Sequence, residues 1–220
     1  MNFKKFLLNN KHILFILYLP IYLFCFGWLE KRDIPCTTIH CIVDDWIPFC
    51  ELFVIPYVLW FFYVAVVVIY LYFQKEHLED FYHCVITLIL GMSTCLFIYF
   101  IFPNAQNMRP EHFTRTNIFT DIVQFIYASD TNTNVLPSIH VYNAIAIHIA
   151  FATSHNFRNR KGWRMASRIL CILICLSTMF LKQHSFLDVV SGIALYAIFY
   201  VLVYRIFPSI GQPRKADTKK

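Results

Sequence analysis

The chain alternates between long apolar runs and shorter polar connections, and this pattern predicts membrane-spanning helices. A helix needs about 20 predominantly apolar residues to cross a hydrocarbon core of about 30 Å. Six runs approach or reach this length, and they cover residues 13–29, 52–73, 81–102, 137–153, 166–181 and 186–207. We therefore predict an all-α fold, an integral membrane bundle of six transmembrane helices.

The two ends of the chain differ in character from the apolar runs. Positively charged residues precede the first run, as in a signal peptide, but no small-residue cleavage site follows it, so we expect a retained anchor. The last ten residues, 211–220, are polar and are expected to be a disordered cytoplasmic tail. Residues 1–210 are expected to form one membrane domain with the six spans.

Composition and charge agree with a membrane location and suggest an orientation. Hydrophobic residues make up 58% of the chain and charged residues only 15%, whereas soluble proteins carry about 25% charged residues. Fourteen of the nineteen Lys and Arg residues lie in segments that are cytoplasmic if both termini are cytoplasmic. The formal charge of +6 is thereby explained without a nucleic-acid partner. We expect an integral protein of the plasma membrane.

Two long connections, 30–51 and 103–136, fall on the predicted outer side. The second contains "NIFTDIVQFIYASD", whose apolar residues recur at helical spacing, so it predicts a short amphipathic helix. Such a helix either lies along the membrane interface or packs on the spans. The first connection contains Cys36, Cys41 and Cys50, and one disulfide is permitted on this side, with its partners left open.

Ionisable residues collect at the predicted outer ends of the spans, although each costs about 2.5 to 3.5 kcal/mol inside a membrane. His184 and Asp188, in "KQHSFLD", are four residues apart and therefore share one face of a helix. A carboxylate bonded to one ring nitrogen leaves the other free as a nucleophile or base. The alternative is an interfacial polar pair in which the two side chains only satisfy each other's hydrogen bonds and have no catalytic role.

Two further stretches bring residues suited to phosphate chemistry to the same level. In "VLPSIH", the amides of the first helical turn and the Ser138 hydroxyl suit an anion, and His140 is a candidate acid. In "NMRPE", Arg109 can offer two parallel hydrogen bonds to a phosphate. Lys182 is a second possible anion ligand. Together these residues predict a site for a phosphate ester.

The order of these residues resembles the type 2 phosphatidic acid phosphatase (PAP2) superfamily of membrane lipid phosphatases. Its pattern is Lys-x6-Arg-Pro, then Pro-Ser-Gly-His, then Ser-Arg-x5-His-x3-Asp. The chain supplies Arg109-Pro110, then Pro137-Ser138-Ile139-His140, then Ser177-Thr178 followed by His184 and Asp188. Phe102, Ile139 and Thr178 replace the motif Lys, Gly and Arg, so two of three cationic phosphate ligands are missing and Lys182 is a candidate substitute. "STMFLKQHSFLDVVSG" and "PSIH" are similar to the branch that contains inositol phosphorylceramide synthases.

The resemblance implies an activity and a role for each residue. His184 attacks phosphorus and forms a phosphohistidine, with Asp188 holding it, and His140 protonates the leaving oxygen. Arg109, Lys182 and the amides near Ser138 stabilise the developing charge. Water then completes a lipid phosphatase reaction at the outer face, whereas an acceptor alcohol makes the protein a lipid head-group phosphotransferase. The expected partner is a lipid phosphate substrate, no metal or cofactor is expected, and the oligomeric state is open.

An intramembrane protease and a transporter are the two other classes of protein that the sequence could suggest. An intramembrane protease built on Ser138 and His184 would leave Arg109 and His140 without a role. A transporter would be expected to show broken helices and internal repeats, and the sequence shows neither. Both are therefore disfavoured.

Overall fold

A computed structural model describes residues 12–208, with side chains described from residue 17 onward. The described residues are predominantly helical, which confirms the predicted all-α class. The helices are α1 (His12–Glu30), α2 (Ile42–Trp46), α3 (Val54–Phe73), α4 (Leu78–Ile101), α5 (Ile118–Ser129), α6 (Ile139–Thr153), α7 (Lys161–Phe180) and α8 (Phe186–Tyr200). The 3₁₀ turns Glu51–Phe53 and Lys75–His77 precede α3 and α4, and the π-helical turn Val201–Ile206 extends α8.

Four helical segments in the described part of the chain are long and apolar enough to cross a membrane. They are Glu51–Phe73, Lys75–Ile101, Lys161–Phe180 and Phe186–Ile206, with 23, 27, 20 and 21 residues. They correspond to the predicted spans 52–73, 81–102, 166–181 and 186–207. The predicted spans 13–29 and 137–153 contain shorter apolar helices, so the six-span count and the orientation of the termini stay predictions.

Helix α6 lies at the centre of the bundle and packs against α3, α4, α7 and α8. Its 15 residues extend only about 22 Å, less than a hydrocarbon core of about 30 Å. Because protein rather than lipid surrounds it, the helix accommodates polar side chains. His148, for example, is buried and its Nδ1 lies 2.8 Å from Ser167 Oγ. Ten of the fifteen residues of α6 are buried, so the helix is enclosed by its neighbours.

Close packing fixes the spacing between α6 and its neighbours. A Cβ placed on Gly192 of α8 would lie 2.8 Å from the Ser138 carbonyl oxygen and 3.3 Å from Val141 Cβ. Gly91 of α4 likewise leaves room for the ring of Tyr142. The starts of α6 and α8 are thus held at a separation that only glycine permits.

The long outer connections are attached to the bundle by short, specific contacts. Strand β1 (Thr37–Thr38) pairs in parallel with β2 (Asn104–Ala105). The buried Asn104 side chain accepts hydrogen bonds at 2.8 Å from the amides of Val135 and Leu136. These two hydrogen bonds fix the position of the segment that leads into α6.

The predicted amphipathic helix is confirmed as α5. Asn117 caps it by accepting hydrogen bonds from amides of its first turn. Val123 is fully buried against Val54 and Tyr57 of α3, while Phe125 on the other face is 72% exposed. Of the two expected placements, the structure therefore shows the helix packed on a span.

Two remaining predictions concern the cysteines and the tail. All eight cysteines lie in the described range and each is a free thiol, so Cys36, Cys41 and Cys50 are unbridged. The predicted tail, 211–220, lies outside the described residues, and the division into domain and tail stays a prediction.

Candidate active site

His140, His184 and Asp188 meet where α6 and α8 begin. The amide of Ser138 donates a hydrogen bond to the carbonyl oxygen of Asp188 at 3.1 Å, which places the two helix starts side by side. His140 Nδ1 lies 3.2 Å from His184 Nε2, and His184 Nδ1 lies 3.3 Å from Asp188 Oδ2. The side chains of His184 and Asp188 are only 7% and 0% exposed. The predicted catalytic residues are therefore brought into contact in a buried place.

A capping arrangement at the start of α8 holds Asp188. Ser185 is the N-cap residue, and its hydroxyl accepts a hydrogen bond from the amide of Leu187 at 3.2 Å. Asp188 Oδ2 in turn accepts one from the amide of Ser185 at 2.8 Å, which completes a capping box. Asp188 Oδ1 is buried and has no hydrogen-bond partner among the described residues. One carboxylate thus fixes the helix start and orients the imidazole of His184.

The histidine pair continues into two residues that sequence reasoning missed. The hydroxyl of Tyr57 lies 3.0 Å from His140 Nε2 and donates a hydrogen bond to Asp130 Oδ2 at 3.3 Å. Burial raises the pKa of the Asp130 carboxyl above its ordinary value, against the opposing effects of His184 and Arg109. The result is a continuous polar chain from Asp130 through Tyr57, His140 and His184 to Asp188. Nothing in the sequence singled out one Tyr in an apolar span or an Asp at a helix end.

Arg109 is held at the edge of this chain. Its guanidinium donates to the carbonyl oxygens of Tyr127 (3.2 Å), Asp130 (2.9 Å) and Thr131 (2.8 Å), and also to Gln183 Oε1. It lies over the Tyr127 ring, 4.5 Å from the centroid. Burial lowers the pKa of Arg109, but a guanidinium starts so high that it stays charged at neutral pH. Arg109 therefore reaches the site through Gln183, the residue before His184.

Two buried donors beside the histidines have unused hydrogen-bonding capacity. Arg109 Nε and Gln183 Nε2 have no acceptor among the described residues. Buried donors are normally paired, so such groups call for an explanation. An anionic ligand with oxygen acceptors would satisfy both, and Gln183 is a further functional candidate that the motif comparison did not include.

A small cavity of about 30 Å³ adjoins the histidine pair. Its lining is Phe26, Tyr99, Asp130, Thr131, Thr133, Asn134, Val135, Ile139, His140, Gln183 and His184. His140 Nδ1 and His184 Nε2 are only 3.2 Å apart, so a phosphate group fits between the two imidazoles only if they separate. A larger cavity of about 360 Å³ opens between residues 110–116 and α5, and none of the predicted site residues lines it.

Ser138 and Lys182 do not point into the histidine pair in this structure. The Ser138 hydroxyl accepts a hydrogen bond from the amide of Val141 at 3.4 Å, so it caps α6, and within the described residues it is not bonded to His184. That arrangement gives no support to a serine protease. Lys182 Nζ donates to the carbonyl oxygens of Asp44 (2.8 Å) and Ile47 (2.5 Å). The phosphate-binding role of Lys182 stays a prediction, and these contacts do not favour it.

The contacts of Lys182 lead to Asp44, another residue that the sequence did not indicate. Asp44 in α2 is buried, and its carboxylate accepts hydrogen bonds from Ser185 Oγ (2.6 Å) and from the amides of Phe186 (2.7 Å) and Cys41 (2.8 Å). Burial alone would raise the pKa of Asp44, but these hydrogen bonds outweigh it and lower the pKa. The first outer connection thus holds the turn that carries His184.

Thr178 occupies the position where the PAP2 motif has an arginine. Thr178 is fully buried, and its carbonyl oxygen accepts hydrogen bonds from the amides of Gln183 (2.9 Å) and His184 (3.0 Å). Its hydroxyl donates to the carbonyl oxygen of Cys175 at 2.8 Å. Thr178 therefore shapes the turn between α7 and α8.

These features define a helical membrane protein with a buried His–His–Asp centre at one end of its bundle. Residues 105–211, just under half of the chain, match the family model of the PAP2 superfamily. The matched stretch contains all six predicted site residues: Arg109, Ser138, His140, Lys182, His184 and Asp188. The match and the apolar helices fit a membrane phosphatase. No curated protein and no solved structure matches the chain.

Proposed function

We propose that the whole protein is a PAP2-type integral membrane lipid phosphatase. It hydrolyses a lipid phosphate monoester or diphosphate through a phosphohistidine on His184. The observation that carries this proposal is the contact series His140–His184–Asp188 inside the stretch that matches the family model.

In the first step, the substrate phosphate enters between the two imidazoles. Asp188 accepts a hydrogen bond from His184 Nδ1–H and so leaves the lone pair on Nε2, which attacks phosphorus. The bond from phosphorus to the lipid oxygen breaks, and that oxygen takes the Nδ1 proton of His140, which enters this step as the imidazolium and becomes neutral. Because the two rings face each other, a phosphate between them has the nucleophile on one side and the acid on the other, as an in-line displacement needs.

In the second step, water replaces the lipid oxygen. His140, now without its acidic proton, removes a proton from water, and the resulting hydroxide attacks phosphorus. The phosphorus–nitrogen bond breaks, phosphate leaves, and both histidines regain their starting protonation. The chemistry is complete without a redox partner.

Tyr57 and Asp130 prepare His140 for the acid role. In the acid role His140 is the imidazolium: its Nε2–H donates to the Tyr57 hydroxyl, so Nδ1–H is the proton that faces His184. Tyr57 in turn donates to Asp130, whose carboxylate stabilises the positive ring through this hydroxyl. Gln183 Nε2, Arg109 and the amides at the start of α6 receive the phosphate oxygens.

The proposal includes the membrane arrangement. We infer six spans, with α1 and α6 added to the four long apolar helices, both termini cytoplasmic and the site on the extracytoplasmic side of the plasma membrane. The distribution of Lys and Arg supports this orientation.

A lipid head-group phosphotransferase is the alternative. It uses the same residues, with an acceptor alcohol in place of water. The burial of His184 favours it, because a side chain that is only 7% exposed is reached by little water. So do the substitutions at Phe102 and Thr178, where the phosphatase motifs have cations.

The test uses the full chain in detergent with a panel of phospholipids and isoprenyl diphosphates, and with His184→Ala as the control. Free phosphate and new lipid products are measured together. Phosphate release that is lost in His184→Ala supports the phosphatase. A new head-grouped lipid without free phosphate supports the transferase, and activity that persists in the variant contradicts both.

A further inference from the structure

A second histidine cluster lies at the opposite end of the bundle. His77 ends the 3₁₀ turn before α4, Glu79 lies in the first turn of α4, and His155 follows α6. Since α6 has 15 residues, this end is about 22 Å from His140. We propose that His77, Glu79 and His155 form a binding site for a transition-metal ion of the Zn²⁺ class.

The distances between the three donors suit a metal better than hydrogen bonds. One ligand atom from each residue lies within 4.8 Å of the others. Glu79 Oε1 is 3.6 Å from His77 Nδ1 and 3.8 Å from His155 Nε2, beyond ordinary hydrogen-bond length. Ligand atoms about 2.0 to 2.1 Å from a tetrahedral zinc are about 3.3 Å apart. The carboxylate therefore needs to approach each imidazole by only a few tenths of an ångström.

Asp80 supplies an independent reason to expect a metal. Its carboxylate oxygens lie 3.1 and 3.2 Å from His155 Nδ1, and one of them accepts a hydrogen bond from the His155 amide at 2.8 Å. A carboxylate on one ring nitrogen holds the proton there and leaves the lone pair on the other, the arrangement found around zinc-bound histidines. Asp80 thus fixes the tautomer in which His155 Nε2 is free to bind.

The site is open to solvent, and hydrogen bonds hold the segment after α6 against the end of α3. The side chains of His77, Glu79 and His155 are 33%, 24% and 32% exposed, so an ion can enter. Asn156, next to His155, donates to Tyr70 Oη (2.9 Å) and Gln74 Oε1 (2.8 Å) at the end of α3. The two imidazoles are stacked with centroids 3.9 Å apart, and both turn towards the ion on binding because their lone pairs lie in the ring planes.

The donor set also selects the kind of ion. Two imidazoles and one carboxylate suit zinc and its neighbours, whereas Mg²⁺ and Ca²⁺ prefer oxygen ligands alone. A bound ion connects the start of α4 with the end of α6 and stabilises the folded bundle, because it binds only when the three donors are assembled. The site stands apart from the proposed phosphoryl transfer, which uses the other end of α6.

The test is a Zn²⁺ titration of the chelator-stripped full chain in detergent, in competition with a chromophoric indicator. We expect one tight equivalent in the wild type and an affinity about 100-fold weaker in Glu79→Gln and His155→Ala. Asp80→Asn should weaken binding by about 10 to 100-fold. His83→Ala is the matched control, since His83 is also on α4 but its Nε2 lies 3.1 Å from the Pro208 carbonyl oxygen, and it should bind as the wild type does.

A Co²⁺ spectrum separates this site from the eight free thiols. We expect d–d bands without thiolate charge-transfer bands, and their loss in Glu79→Gln. Thermal unfolding without metal shows which variants fold. If His155→Ala does not fold, the near-isosteric Glu79→Gln still tests the proposal. Zn²⁺ affinity that is equal in the wild type and Glu79→Gln, or a thiolate spectrum that persists in the variant, would overturn the proposal.

Discussion

The two ends of the bundle each hold a pair of histidines with carboxylates, but the pairs are built differently. At one end, His140 and His184 meet nitrogen to nitrogen at 3.2 Å, with ring planes 60° apart, and His184 is nearly inaccessible. At the other end, His77 and His155 are stacked face to face, 2° from parallel, and are about one third exposed.

The two pairs consist of the same residue types, so their chemistry depends on the direction of the lone pairs and on the access of solvent. In the buried pair, each ring nitrogen faces another proton donor or acceptor, so protons can pass along the series. In the exposed pair, Asp80 lies against one nitrogen of His155, and the remaining donors lie within 4.8 Å of one another where solvent can reach them. The predictions below would separate the two ends.

The largest effect is expected from Asp188→Asn. An amide cannot stabilise the positive ring that forms as His184 attacks, and the same change in a catalytic triad lowers kcat by about 10⁴-fold. We expect a loss of about 10³ to 10⁴-fold in turnover of a lipid phosphate, with unchanged Zn²⁺ affinity.

Asp45→Asn is the matched control, because Asp45 of α2 also pairs with a histidine, His40, at 2.8 Å but at an exposed position. Its turnover should equal that of the wild type. Turnover of Asp188→Asn within tenfold of the wild type would show that the buried pair is only structural.

The next largest effect is expected from His140→Asn. Loss of a general acid lowers turnover by about 10² to 10⁴-fold. The loss should shrink for a substrate whose leaving oxygen is a weak base, because such an oxygen departs without a proton. His148→Asn, two turns further along α6 and hydrogen-bonded to Ser167, is the control and should show no such dependence on the leaving group. An equal loss for good and poor leaving groups would argue against the acid role.

The meeting of His140, His184 and Asp188 was easier to predict from the sequence than the contacts of the residues around them. His140, His184 and Asp188 were predictable because charged and polar residues are costly in apolar runs, and their order matched a family pattern. Tyr57, Asp130, Gln183 and Asp44 were not, because the hydrogen bonds that connect them to the site join residues 73 or more positions apart. Only the packing of α3, α5 and α6 brings Tyr57 to His140.

Some of the membrane helices were also easier to predict from the sequence than others. The spans in 52–73 and 186–207 were predictable because lipid-facing helices are apolar on every side. Helix α6 was harder to place, because a helix that is enclosed by other helices can be short and can carry His148 and Asn143. Hydropathy alone therefore gives a weak signal for a helix that is surrounded by other helices rather than by lipid.

A smaller effect is expected from Gly192→Ala, which tests whether the close approach of α6 and α8 creates the buried pair. The added Cβ would lie 2.8 Å from a backbone oxygen, which cannot rotate away. We expect a loss of about 3 kcal/mol in stability, at the upper end for overpacking, with turnover lowered about tenfold as His140 and His184 separate. Gly162→Ala, whose Cβ would meet no described atom within 4 Å, should be neutral or slightly stabilising. Equal unfolding temperatures for the two variants would contradict the packing argument.

The smallest effect is expected from Asp44→Asn, and it should depend on pH. Loss of the charge weakens the hydrogen bonds from Ser185 and Phe186 and costs about 1.5 kcal/mol at neutral pH. The pKa of Asp44 is lowered in the folded state, so its contribution is fully present above the ordinary pKa of 3.8 and is lost as the pH falls through the lowered value. The unfolding temperatures of the wild type and the variant in detergent should therefore differ at pH 7 and converge below about pH 4. A difference that stays constant over this range would mean that the carboxylate of Asp44 does not hold the His184 turn by its charge.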